Sequence, residues 1–342
     1  MNQASEISKP EPNMNSRAWL VYLLLGVLAT GAYFLLSGAA KDTLYNLVGA
    51  SSVIAILVGV RSYRPKPALP WYVLASGLAL FVTADVIYYN VYPNVLGMPA
   101  PFPSVADVFY ASSYLVVAVG LALFIRRTGG RRDWGSLIDA SIVATGVGLL
   151  SWIFLIEPYI ADPTLPLLSR LVAIDYPLMG VVWVALAARF LFASHARPPA
   201  LYLLIAAVLF HPIADAAYSY LVLKGAYQSG MPIDAGWILS YTFFGALALH
   251  PSMNELSQVT RVGETRVSAL RLASLTAAGL VVPVAVVFDA AKHGEVDLVV
   301  IVGAIFLFSL VLIRMGQARR SAAREDHNIS TVLAYRVCTG DI

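Results

Sequence analysis

Hydrophobic residues in this chain fall in long unbroken runs, separated by short links rich in Pro, Gly or Arg. A bilayer core takes about 20 consecutive apolar residues as a helix. Ten runs meet that length, near 18–38, 43–61, 70–92, 103–126, 134–157, 167–193, 199–223, 233–250, 268–290 and 294–316. Helices are the form in which such runs satisfy their own backbone groups inside lipid. The pattern therefore predicts an all-α polytopic transmembrane helical bundle of about ten spans. The eighth run is the shortest, and the ninth carries Pro283 in its middle, where a kink packed against a neighbour is expected. Residues 1–16 are polar and read as a disordered tail. Residues 17–316 form one transmembrane domain, and 317–342 read as an exit helix and tail too short to bury a core.

Composition agrees with the runs. The 342 residues are 59% hydrophobic and 13% charged, whereas soluble domains carry about a quarter charged residues. The excess apolar surface must face lipid. The formal charge of +3 is small, and its distribution says more. Cytoplasmic links are enriched in Lys and Arg. With both ends inside, the cytoplasmic segments hold 19 of the 23 basic residues, and the outer ones hold Lys41, Arg170, Lys224 and Lys292. Arg17, the first run and Ser37-Gly38-Ala39 loosely resemble a secretory signal. That run is long for a signal, so it is read as a retained span; cleavage would leave nine. The single cysteine, Cys338, excludes an intramolecular disulfide. Nothing in the chain reads as a nucleic-acid-binding signature.

Against this background the acidic residues stand out. An ionisable group in a span costs about 2.5–3.5 kcal/mol on insertion scales and is a functional candidate by default. Asp85, Asp107, Glu157, Asp175, Asp215 and Asp234 fall toward the outer half, and Asp139 toward the inner half. At helical spacing Asp85, Tyr88 and Tyr92 share one face, as do His211, Asp215 and Tyr218. Two such faces can converge on an outward-facing cavity suited to a cation, a protonated amine or a polar small molecule. The competing structural reading is that each Asp bonds a Tyr hydroxyl or helix end on a neighbouring span. Asp107 and Asp234 lie in the first turn of their spans, where a carboxylate caps free amides, and Ser104 precedes Asp107 with capping-box spacing. Glu157 reads as an interface marker before Pro158, and Asp175 precedes Tyr176-Pro177. His211 and Asp215 are one turn apart; a satisfied structural pair is commoner than a proton relay or metal site, so no metal and no cofactor are assigned. The candidate outer pocket is therefore Asp85, Tyr88, Tyr92, Asp107, Tyr110, Asp175, His211, Asp215, Tyr218, Asp234 and Trp237. Trp71, Tyr92, Trp134, Tyr159, Tyr227 and Trp237 near span ends read as an aromatic belt.

A short pattern recurs. Ala84-Asp85-x-x-Tyr88 matches Ala214-Asp215-x-x-Tyr218, and Asp107-x-x-Tyr110-x-x-x-Tyr114 matches Asp234-x-x-Trp237-x-x-x-Tyr241. The offsets are 130 and 127 residues, which fits a parallel repeat of spans 3–4 and 7–8; chance reuse of Asp and Tyr at span ends is the alternative. Metalloprotease, Cys-x-x-Cys, Walker and Gly-x-Ser-x-Gly motifs are missing, and no enzyme is expected.

Several strings together resemble one family. They are Pro103-Ser104-Val105-Ala106-Asp107-Val108-Phe109-Tyr110, Asp133-Trp134 with Leu137-Ile138-Asp139-Ala140, Trp152 to Pro158, Asp175-Tyr176-Pro177, Asp234-x-Gly236-Trp237 and Ala248-Leu249-His250-Pro251-Ser252-Met253. They resemble the N-terminal multi-span region of actinobacterial diguanylate cyclase/phosphodiesterase proteins over about residues 18–316. In that family a membrane sensor feeds a cytoplasmic helix and then GGDEF and EAL catalytic domains. Neither catalytic motif occurs here. The resemblance implies a sensory or regulatory input module in the bacterial inner membrane. Homodimerisation and a separate cytoplasmic cyclase/phosphodiesterase partner follow as expectations. A secondary transporter using intramembrane carboxylates is the alternative.

Overall fold

A computed structural model describes residues 17–128, 134–193, 197–257 and 269–317. The expected N-terminal tail and most of the exit segment beyond 317 lie outside the described residues. The protein is an all-α polytopic bundle of ten helices, with no strand among the described residues. They are α1 (Ala18–Tyr33), α2 (Gly38–Tyr63), α3 (Leu69–Val86, continuing through Ile87–Val95), α4 (Val105–Thr128), α5 (Trp134–Ser151, continuing to Ala161), α6 (Leu167–Ala193), α7 (Pro199–Leu223), α8 (Asp234–Leu249), α9 (Ala269–His293) and α10 (Leu298–Gln317). Eight are long and apolar enough to cross a membrane. The other two, α1 and α8, have 16 residues each, about 24 Å at 1.5 Å per residue. Helix α8 is wrapped by α1, α2 and α7, so most of it meets protein rather than lipid.

Six helices close a ring in the order α2–α3–α4–α6–α7–α8, with α8 returning to α2. Helix α1 lies outside α8, α5 outside α6, and α9 outside α5. Helix α10 is fixed to α5 by a 2.7 Å ion pair from Arg314 Nε to Asp139 Oδ1 and a 3.1 Å hydrogen bond from Trp152 Nε1 to Asp297 Oδ2. Asp297 also caps α10, accepting from the Val299 amide at 2.8 Å. The lipid-side surface is apolar: Val284, Val287, Leu298, Ile305 and Phe308 are each more than 60% exposed.

Around the ring, α2–α3–α4 is followed by α6–α7–α8, with neighbours packed in the same succession. The close approaches agree with it. Gly49 on α2 lies where a side chain would meet Val82 of α3, and Gly180 on α6 lies where one would meet Pro212 of α7. Lipid is as apolar as leucine, so ring helices associate by packing, which small residues at the contact favour. Gly49–Val82 and Gly180–Pro212 are thus matching contacts, α2 to α3 and α6 to α7.

At the end that carries Arg61, Arg64, Arg126 and Arg189 the interior of the ring is filled, and an open groove of about 500 Å³ beside Arg61 and Arg64 lies on the surface between α2 and α3. Trp71, Leu74, Leu78, Leu121, Phe124, Phe190, Leu201, Leu204 and Leu247 are all within 2% of complete burial. The Trp71 and Phe124 rings meet edge-on at 4.9 Å. The segment Pro251–Ser257 covers this end: Asn254 Nδ2 donates to the Tyr63 carbonyl at 2.9 Å, and the Ala200 amide donates to Ser252 Oγ at 3.2 Å. His250 is buried; its Nδ1 accepts from the Ser252 amide at 3.0 Å and its ring packs on Trp19.

Candidate ligand-binding cavity

At the opposite end the ring opens around a cavity of about 430 Å³. Its wall comes from the second halves of α3 and α7, the first halves of α2, α4, α6 and α8, the end of α5 at Tyr159, and the links beside them. Ten tyrosines line it, of 18 in the chain, together with Asp85, Asp107, Asp215 and His211.

The two mid-span carboxylates are held in the same way. Asp85 on α3 accepts from the Tyr110 hydroxyl of α4 at 2.7 Å and from the Tyr241 hydroxyl of α8 at 2.6 Å. Asp215 on α7 accepts from Trp237 Nε1 of α8 at 2.8 Å and from the Tyr114 hydroxyl of α4. In the recurring sequence pattern, Asp85 corresponds to Asp215, Tyr110 to Trp237, and Tyr114 to Tyr241. Each carboxylate therefore takes one donor from its own half and one from the other. Burying a carboxylate is costly without such partners. These four bonds pin α3, α4, α7 and α8 together across the cavity.

Asp107 combines two roles. Its Oδ2 accepts from the Ser104 amide at 2.6 Å, while Ser104 Oγ accepts from the Ala106 amide at 3.2 Å, so Ser104 and Asp107 together cap the first turn of α4. Its Oδ1 accepts from the Tyr176 hydroxyl of α6 at 2.5 Å, which brings it into the wall. Asp234 is enclosed behind the wall. It accepts from Tyr33 of α1 at 2.6 Å, the Gly230 amide at 2.7 Å and Tyr227 at 3.2 Å. It therefore anchors the preceding loop and α1, not its own first-turn amides. Burial and this carboxylate push the Tyr227 phenol upward in pKa.

His211 forms part of the floor. Its Nε2 is 3.8 Å from Asp215 Oδ2, too far for a hydrogen bond. The ring packs among Phe81 at 4.5 Å, Trp183 at 5.2 Å and Tyr114 at 5.6 Å. Among the described residues no group of three or more His, Cys, Asp or Glu side chains is placed to hold a metal ion.

Of the sequence candidates, Asp85, Tyr88, Asp107, Tyr110, His211, Asp215, Tyr218 and Trp237 meet in the wall. Tyr92, Asp175 and Asp234 do not. Ordinary helical spacing put Tyr92 on the Asp85 face, but Ile87–Val95 is wound as a π-helix. The wider turn directs Tyr92 to the start of α4, where its oxygen accepts from the Val105 amide at 3.4 Å. Asp175 is half-buried on α6, outside the wall. The aromatic-belt reading also changes. Trp71 is fully buried in the ring core, and Tyr159, Tyr227 and Trp237 line the cavity, whereas Trp134 is exposed.

The sequence reading missed Tyr45, Tyr89, Tyr114, Tyr176 and Tyr241 as wall residues. For Tyr114 and Tyr241 a signal was present, since both close the repeated Asp-x-x-aromatic-x-x-x-Tyr pattern. The others look like ordinary membrane tyrosines. Compared with known proteins, the chain matches no family model, no curated protein and no solved structure.

Proposed function

We propose that this chain is a membrane-embedded input module of a signalling protein, binding a small molecule from the outer side of the bacterial inner membrane. The observation that carries the reading is a cavity that opens at one end of the ring and stops on a solid apolar core at the other. The Arg-rich links lie at the closed end, and the basic-residue rule puts that end inside. A ligand changes a bundle only by favouring one packing over another. Here the wall is where the six ring helices and the end of α5 meet, so a ligand contacts the groups that set their spacing. Tyr176 of the wall lies on α6, α6 packs on α5, and α5 holds α10 through Asp139 and Arg314. That contiguity gives the cavity a physical route to the helix leading into the cytoplasm. The cyclase/phosphodiesterase resemblance supplies the output class, cyclic-di-GMP signalling, acting through a cytoplasmic partner or within a homodimer.

Fusing residues 1–326 to a cyclase output domain tests this. Membrane-dependent control of the cyclase, altered by Asp85→Asn and Asp215→Asn, is expected. A constitutive fusion indifferent to both substitutions would falsify the input-module reading. The recurring pattern around buried acids also suits a secondary transporter. Proton- or ion-coupled uptake into liposomes, abolished by the same substitutions, would establish that function instead.

A further inference from the structure

We infer that the cavity takes an organic cation, an alkylated ammonium group held against tyrosine faces with the carboxylates behind them. The inference rests on the ligand-binding reading above and names the ligand class.

Charge comes first. Asp85, Asp107 and Asp215 face the cavity, and none of its described lining residues is a lysine or arginine. The ammonium of Lys41 stands at the rim, where it bonds Ser229 at 2.8 Å and lies 5.7 Å from the centre of the Tyr33 ring. An anion would enter against three carboxylates in a low-dielectric wall.

The chemistry of the wall then separates an organic cation from a metal ion. A metal needs carboxylate oxygens directed at it. Here both oxygens of Asp85 and both of Asp215 already accept protein donors, as do both of Asp107. The carboxyl groups thus reach the cavity through phenols and an indole rather than by open coordination. What the cavity presents directly is aromatic surface. An alkylated ammonium is attracted to aromatic faces, most strongly where water is excluded. Tyr45, Tyr88, Tyr89, Tyr159 and Tyr218 line the cavity with hydroxyls that make no hydrogen bond to another described residue, so these rings are not committed to a carboxylate. The volume is within the range of small-molecule pockets, about 300–1,000 Å³.

Choline and its neutral carbon isostere 3,3-dimethyl-1-butanol have nearly the same shape and differ in charge. Binding of each to the purified full chain in nanodiscs is measured by calorimetry and by the fluorescence of the wall residue Trp237. Choline is expected to bind saturably and at least tenfold more tightly than the isostere. Tyr88→Leu and Tyr218→Leu are each expected to weaken choline binding by about 2- to 30-fold, the range of one cation–aromatic contact. Tyr88→Phe and Tyr218→Phe, which keep the ring face, should stay within about threefold of the parent. Equal binding of the isostere, or no saturable choline binding by chain whose melting is normal, overturns the inference. So would Leu variants that melt normally and bind choline like the parent. Those outcomes leave the input-module reading standing, because it is judged by the cyclase fusion. Choline binding alongside a constitutive fusion would leave the cation site and remove the module.

Discussion

Replacing Tyr241 by phenylalanine deletes one oxygen and one hydrogen bond, and leaves the ring that packs against Tyr45. The bond is 2.6 Å long and joins two side chains that are 1% and 3% exposed. A hydrogen bond to a charged group contributes about 1.5–3 kcal/mol. Side-chain bonds between membrane helices average only about 0.6 kcal/mol, because the separated helices find other partners. Asp85 should sit in the higher range. The ring wall encloses it, and losing one donor leaves the carboxylate with Tyr110 alone among the bonds described above. A double-mutant cycle of Tyr241→Phe with Asp85→Leu isolates the pair. Reversible denaturation in mixed micelles, followed by circular dichroism, should give a coupling of about 1.5–3 kcal/mol, a factor of about 10–150. A coupling at or below about 0.6 kcal/mol would refute the reasoning, since the bond would then be an ordinary interhelical one.

The matching bonds of Asp85 and Asp215 make the remaining expectations specific. Tyr114→Phe should cost the same as Tyr241→Phe to within about 0.5 kcal/mol, because each removes the cross-half donor to its aspartate; the same denaturation assay compares them. Trp237→Phe and Tyr110→Phe, which remove the same-half donors, should each lose about 1.5–3 kcal/mol. Asp107→Ala removes a cap and a Tyr176 bond, and should lower stability by about 1–3 kcal/mol while making the link before α4 cleavable by protease. Arg314→Ala leaves buried Asp139 without its α10 partner and should expose α9–α10 to proteolysis with a loss of several kcal/mol, about 3–5 at most. Lys292→Ala breaks a half-exposed pair to Glu157 and should change stability by less than about 1 kcal/mol in the same experiment.

What could be read from the sequence follows from contrast. A charge inside an apolar run is conspicuous, so Asp85 and Asp215 were visible, and their shared spacing to a tyrosine exposed the recurring pattern. Tyrosine has no such contrast, because it serves equally in a core, at the lipid interface and in a polar wall. Tyr45, Tyr89 and Tyr176 were unreadable for that reason, and the aromatic belt was over-read. The bonding of Asp85 matches the structural alternative, a carboxylate satisfied by neighbouring phenols, yet the same phenols form a cavity. The two readings were not exclusive. The π-wound end of α3 left no trace in the hydrophobic pattern, and it moved Tyr92 out of the site. The partner of Asp139 lies 175 residues away on a peripheral helix, a distance that spacing rules do not reach.

The central claim is that this carboxylate–tyrosine cavity opens to the outside. Ser229 is exposed at its rim and carries the Lys41 bond. A single reporter thiol can be placed there as Ser229→Cys in a Cys338→Ser background. The measurement is its labelling by a membrane-impermeant maleimide in intact cells and again after permeabilisation. Full labelling of intact cells is expected, with no gain when the membrane is opened. Labelling that requires permeabilisation would put the cavity on the cytoplasmic side and contradict that claim.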